Sequence, residues 1–382
     1  MWSGRGKSVA DGRHIAEPIG GQTVRVELDR LHVVIAAELG RRRAEMIAVD
    51  SRLAPLADLL VDFVASGGKR LRPEFLWCGW RAAGGAVDSE PVLTVGAALE
   101  LIQACALIHD DVIDRSDSRR GRPATHRAVA KEHADAGLSG DSEHFGVSAA
   151  VLLGDLALAW ADDLYTTGAA ELGAVQRSLP VWRAMRTEVL SGQLLDLVAT
   201  AAVTTDPATQ AADAMRVNRF KTAAYTVERP LHLGAALAEA SAETVAALRT
   251  YGADIGVAFQ LRDDLLGVYG DPAVTGKPAG DDLLEGKRTL LLATARAALA
   301  GDPHLLAELD AGVGSAGADP ARLAEIIAGT GAPDVLEARI DELVGSGLAA
   351  VDQVDAQGRP VIAAAARERL TALAHAATAR RS

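Results

Sequence analysis

The stretch from Pro91 to Arg115, PVLTVGAALELIQACALIHDDVIDR, decides how the rest of the chain is read. Its apolar residues recur at three and four positions, the spacing that lines one side of a helix, with none of the strict alternation of a half-buried strand. Its most apolar run, Leu93 to Ile108, falls short of the roughly 20 residues that cross a bilayer and carries Glu100 and Gln103, so it reads as a core helix and not as a transmembrane segment.

The same period extends outward. Helices are expected over 28–42, 53–65, 73–81, 91–115, 147–168, 174–198, 208–227, 242–266 and 286–298, with more from Ala321 onward. The polar, glycine-containing stretches 127–146 and 267–285 are expected to be loops, and long loops in a compact helical domain are usually functional. Residues 1–25 read as a disordered polar tail without the apolar centre of a secretory signal. No Pro/Ser-rich linker follows, so 26–382 is expected to form a single all-α domain.

Composition agrees. Of 382 residues, 49% are hydrophobic and only 4% aromatic, which excludes a largely disordered chain and argues against an all-β one. A net charge of -12 argues against a nucleic-acid partner, because backbone binding needs clustered surplus cations. The two cysteines, Cys78 and Cys105, lie in apolar stretches, which suits small buried side chains in a reducing, cytoplasmic setting.

Chemistry concentrates at helix ends. Asp110 and Asp114 are one turn apart and share a face, with Asp111 offset by about 100° beside them. Like charges at a helix C-terminus repel one another and the helix dipole, so the arrangement is unfavourable unless a cation joins it. Magnesium suits hard oxygen ligands completed by water and phosphate. A solvated acidic helix end is the plain alternative for one such motif. A second copy, FQLRDDLLGVYGD, places Asp263 and Asp264 at the end of another apolar helix and suggests two facing lips of a cavity. That copy is incomplete: Gly267 stands one turn after Asp263, leaving Asp271 as a badly spaced third carboxylate. Basic residues flank both motifs: Lys69, Arg70 and Arg72 in GGKRLRP, Arg119 and Arg120, Lys221, Lys277 and Lys287. In an acidic protein this joint placement suits a polyanion bridged by metal.

The chain resembles the trans-isoprenyl diphosphate synthases, the polyprenyl synthetase family. The matching residues are GGKRLRP, DDVID with RRGRP and Thr125-His126, Leu153-Gly154-Asp155, Lys221-Thr222, FQLRDD and GKPAGDDLLEGKRT, in the family's order. The resemblance implies an isoprenoid synthase-type helical bundle around a deep central cavity, usually a homodimer. It also implies condensation of isopentenyl diphosphate with an allylic diphosphate. Asp110, Asp114 and Asp263 would then ligate Mg2+, three ions with substrate diphosphate bound, with Asp111 and Asp264 in support. Arg119, Lys221 and Lys277 would hold the allylic diphosphate; Lys69, Arg72, Gln103 and Arg120 would hold isopentenyl diphosphate; Thr222 and Gln260 would line the position of the carbocation. Gln103 stands where many relatives have histidine, and Gly267 where they have a third aspartate.

In this family bulky side chains one turn before the first acidic motif stop the growing chain. Here Cys105 and Ala106 are small, with Ile102, Leu99 and Trp160 as deeper candidates for the floor. A geranylgeranyl (C20) product is the first expectation, with longer polyprenyl products or a class I terpene cyclase as alternatives. A non-catalytic partner subunit fits less well, since both acidic motifs retain at least two aspartates.

Overall fold

The computed structural model describes residues 19–66, 68–202, 206–271, 279–315 and 317–378, with side chains from Glu27 onward. Its helices are α1 (Ile19–Val49), α2 (Ala54–Ala65), α3 (Leu71–Ala82), α4 (Glu90–Ile113), α5 (Thr125–Asp135), α6 (Ser142–Glu171), α7 (Val175–Ala201) and α8 (Pro207–Val217). A π-helix (Asn218–Glu228) leads directly into α9 (Arg229–Leu237) and α10 (Ala242–Tyr269). Then come α11 (Asp281–Leu284), α12 (Leu290–Ala298), α13 (Pro303–Gly312), α14 (Pro320–Gly329), α15 (Ala332–Val351) and α16 (Ala364–Thr378). Strands β1 (Ser118–Arg119) and β2 (Arg122–Pro123) form a small antiparallel hairpin. The expected all-α bundle is therefore present.

Helix α4 is the centre of the bundle, packed against α6, α3 and α1. Leu99, Ile102, Cys105 and Ile108 are all buried along it. At 24 residues it is longer than its most apolar run suggests, and by length and composition both α4 and α6 could cross a membrane. In α4, however, 72% of the apolar window is buried against neighbouring helices. Helices α6 and α7 are joined by the stacked rings of Tyr165 and Trp182, 4.6 Å apart, while Trp182 Nε1 donates to Asp162 at 2.7 Å.

Four expectations change; one is that the stretch 267–285, expected as a loop, holds the end of α10 and all of α11 among its described residues. Helix α1 begins at Ile19, so 19–25 are helical and not part of a tail; residues 1–18 lie outside the described ones. The stretch 127–146 is mostly helical: α5 buries Val129, Ala130 and His133, and Asp141 caps α6 by accepting from the amides of Glu143 and His144. The long helix expected over 208–227 is α8 followed by the π-helix.

A buried ion pair and a half-buried one bracket the start of α3. Arg70, in the left-handed region at φ 52°, sends its guanidinium inward to Glu100 and to the Val64 carbonyl, 2.9 Å away. One turn later Glu74 accepts from Arg369 Nε at 2.6 Å, tying α16 to α3. Helix α16 is held again where Tyr251 Oη donates to the Leu370 carbonyl at 2.6 Å.

Removing one partner of a buried pair leaves an uncompensated charge, so Glu100→Ala should cost about 3–5 kcal/mol in urea unfolding. The double change Arg70→Met with Glu100→Leu should cost far less; equal losses would show that the pair acts by packing alone.

Candidate active site

The C-terminus of α4, the C-terminal end of α7, α8, the π-helix, α10 and the segment around α11 enclose a cleft of about 520 Å3. Asp110, Asp114, Lys221, Thr222, Gln260, Asp263 and Asp264 all line it. Residues 150 positions apart in the chain thus meet because two apolar helices end on the same side of the core.

Asp110 is the hub. Its Oδ1 accepts from Gln193 Nε2 at 3.0 Å and Lys221 Nζ at 3.3 Å, and its Oδ2 from the Arg119 guanidinium at 3.5 Å. Lys221 also reaches Asp196 Oδ2 at 2.6 Å. Asp114 is pushed up to about 6 by burial in the cleft and by Asp110 beside it. Asp111 faces inward, fully buried, and accepts from Arg119 Nε at 2.7 Å; burial raises it while Arg119 opposes the rise.

On the opposite lip Asp264 is buried, accepts from Gln260 Nε2 at 2.8 Å, and is pushed up to about 7 by burial, with Asp263 and Asp282 adding to the rise. Asn218 beside it partly offsets the rise, while the buried Asp111 Oδ2 has no hydrogen-bond partner. Carboxylates crowded until their protonated forms gain ground, with a buried oxygen left over, fit a hard divalent cation. Magnesium therefore suits the donor set here.

The cations are placed by local backbone geometry. The β1–β2 hairpin turns through Arg120 and Gly121, both at positive φ (53° and 73°), a two-residue turn whose twist suits the flanking strands. It sets Arg119 against the first acidic motif and Arg120 on the other side. A Cβ at Gly68 would sit 3.5 Å from the Arg120 guanidinium, so the GGKRLRP turn and the hairpin tip are neighbours. Burial lowers Arg120, and Arg119, Arg70 and Arg72 add to the effect, which marks an excess of positive charge. Arg72 is aimed by Thr226, whose Oγ1 accepts at 2.8 Å, and by stacking 4.2 Å over the Tyr225 ring. Lys69 is exposed beside this group and Gln103 is half-buried on α4. Lys277 lies outside the described residues.

Lys221 and Thr222 ride on the π-helix, whose wider turn needs room. The room comes from glycines on both sides. A Cβ at Gly192 of α7 would stand 2.4 Å from the Lys221 amide nitrogen, and one at Gly256 of α10 would stand 2.6 Å from the Ala223 Cα. Below the first motif, Cys105 and Ile102 are buried and Ala106 is half-buried. Cys105 Sγ lies 3.7 Å from His109 Nδ1.

Reasoning from motifs missed Gln193, Asp196, Asn218, Tyr225 and Thr226, and gave no role to Asp282 within GKPAGDDLLEGKRT. Gln193 and Asp196 had a signal, because polar residues three apart in the apolar SGQLLDL share a helix face.

A family model described as polyprenyl synthetase matches residues 54–328. The chain is 37% identical over 226 residues to a geranylgeranyl diphosphate synthase of Mycobacterium tuberculosis, covering 59% of this chain and 57% of that protein. It is 34% identical over 237 residues to a geranylfarnesyl diphosphate synthase of Aeropyrum pernix, covering 62% of this chain and 69% of that protein. Among solved structures, a geranylgeranyl pyrophosphate synthase from Corynebacterium glutamicum, complexed with isoprenyl diphosphate and magnesium, superposes at a TM-score of 0.86 and 45% identity, covering 94% of this chain and 99% of that one.

Gly192→Ala should push the Lys221 backbone out of place, an overpacking cost of about 1–3 kcal/mol despite alanine's better helix propensity. Calorimetry with magnesium and inorganic diphosphate should show weaker binding. Gly329→Ala, where a Cβ meets nothing within 4 Å, should do neither.

Proposed function

Because the chain belongs to the polyprenyl synthetase family, we propose that it is a magnesium-dependent trans-prenyltransferase. It joins isopentenyl diphosphate to dimethylallyl, geranyl or farnesyl diphosphate. The observation that carries this reading is the convergence of Asp110, Asp114, Asp263 and Lys221 on one cleft, with the Arg72, Arg119 and Arg120 group next to it.

In this reading Asp110, Asp114 and Asp263 hold the magnesium ions, three with substrate diphosphate bound. Bound magnesium neutralises the charge that grows on the leaving diphosphate. Lys221 and Arg119 bind that same diphosphate as charge-assisted donors, together with Lys277. Lys69, Arg72, Gln103 and Arg120 bind the diphosphate of the second substrate. Arg119, Arg70 and Arg72 around Arg120 make a site that favours an anion before any arrives.

The allylic C–O bond breaks and its electron pair leaves with the diphosphate. The isopentenyl double bond attacks the cationic carbon, and the new cation loses a proton to the departed diphosphate. Thr222 and Gln260 line the cleft where the cation forms, and the apolar side chains of Ile113, Leu197 and Val217 limit water around it. Asp111 and Asp264 act in support: Asp111 holds Arg119 in place and Asp264 backs the second lip.

Cys105 and Ala106, one turn before the first motif, are too small to act as a bulky stop for the growing chain, so geranylgeranyl diphosphate is the proposed product. The Aeropyrum pernix relative, named for a longer chain, favours a longer polyprenyl product as the second reading. A homodimer is proposed from an apolar surface formed by Val151 and Leu152 of α6 and Leu190, Leu194 and Val198 of α7, all exposed. Free, buried Cys78 and Cys105 support a cytoplasmic setting.

Purified protein with magnesium, labelled isopentenyl diphosphate and each allylic primer should yield a C20 alcohol after dephosphorylation. Ala106→Phe should shorten it. Asp110→Ala and Asp263→Ala should each lose on the order of 10²-fold or more in rate with circular dichroism unchanged. Full activity in both variants would remove the metal-site assignment, and hydrocarbon formed without use of isopentenyl diphosphate would point to a cyclase.

Sedimentation velocity should show a dimer that Leu152→Asp with Leu194→Asp splits into monomers. A wild-type monomer at micromolar concentration would overturn the proposed assembly.

A further inference from the structure

Gly267 is one helical turn past Asp263, on the face where a DDxxD pattern puts its third carboxylate. The space is not vacant. A Cβ built on Gly267 would lie 2.0 Å from Oδ2 of Asp282 and 2.6 Å from its Cγ. The carboxylate of another element therefore stands where a side chain at 267 would begin.

Backbone pairing fixes that element in place. The Gly280 amide donates to the Gly267 carbonyl at 3.0 Å, and the left-handed Gly280 (φ 78°) turns the chain into α11. Leu283 is buried with Leu265 and Val268, which anchors α11 against the end of α10. The Lys287 amide closes the turn on the Asp282 carbonyl at 3.0 Å, and Lys287 Nζ holds Asp282 Oδ1 at 2.6 Å. Asp282 lines the same cleft as Asp110, Asp114, Asp263 and Asp264. On that lip Asp264 is only 4% exposed, accepts from Gln260 and has Asn218 beside it, yet sits among like charges from Asp263 and Asp282, a cluster that calls for a cation.

We propose that Asp282 supplies the missing third carboxylate of the second acidic motif, donated across the chain from α11, and that Gly267 is required to make room for it. Asp282 is thus a magnesium-site residue of this chain, direct or through water, and Lys287 orients it. The inference rests on the prenyltransferase reading above.

The test follows binding, not turnover alone. Calorimetry with magnesium and inorganic diphosphate should give wild-type affinity, and Asp282→Asn, close to isosteric, should weaken it about 10- to 100-fold. Gly267→Asp alone should lower the melting temperature, because its side chain collides with Asp282. Combined with Asp282→Gly, it returns a carboxylate to α10 and should recover most of the affinity that Asp282→Gly loses. Wild-type affinity in Asp282→Asn, or a double variant no better than Asp282→Gly, would overturn the proposal while leaving the wild type's diphosphate binding intact. Absence of magnesium-dependent diphosphate binding in the wild type would overturn both this inference and the functional reading beneath it.

Discussion

Mutual repulsion between carboxylates governs this molecule. Asp110, Asp114, Asp263, Asp264, Asp196 and Asp282 share one cleft; beyond the effect of burial, Asp110 and Asp196 raise the cost of ionising Asp114, and Asp263 and Asp282 that of ionising Asp264. Such a cluster persists only where the scaffold is rigid enough to hold it and where positive charge is supplied. The apolar interior around α4 and α10 provides the first, and residues placed by special backbone conformations provide the second.

Those conformations are the unusual parts of an otherwise regular bundle. Lys221 comes from a π-helix, Arg120 from a positive-φ hairpin turn, and Arg72 from a helix whose preceding residue is left-handed. Strained or rare backbone is tolerated where surrounding structure overdetermines it. Here the surroundings are specific: the Arg70–Glu100 pair behind one, and closely packed glycines on α7 and α10 around another.

The helical bundle and most of the cleft were legible in the sequence because apolar period and acidic helix ends are local signals. The helix over 125–135 was hidden by its polar surface, Lys131, Glu132 and Asp135, although Asp141 was a readable cap for the next one. The π-helix has no separate period within eleven residues and reads as ordinary helix. Tyr225 and Asp282 were out of reach for another reason: their partners, Arg72 and Gly267, are set by packing between elements, and spacing along one helix carries no information about a second.

The matched family model ends at residue 328, yet the helix that begins at Ala364 grips α3 through Arg369 and Glu74, two residues beyond Arg72. A version of the protein trimmed to the matched region would retain every carboxylate and every lysine of the cleft. It would also leave Glu74 buried without its counter-charge, at the base of the helix that carries Arg72. The end of the matched family model and the last contact that steadies the helix carrying Arg72 are therefore different places in this chain, some forty residues apart.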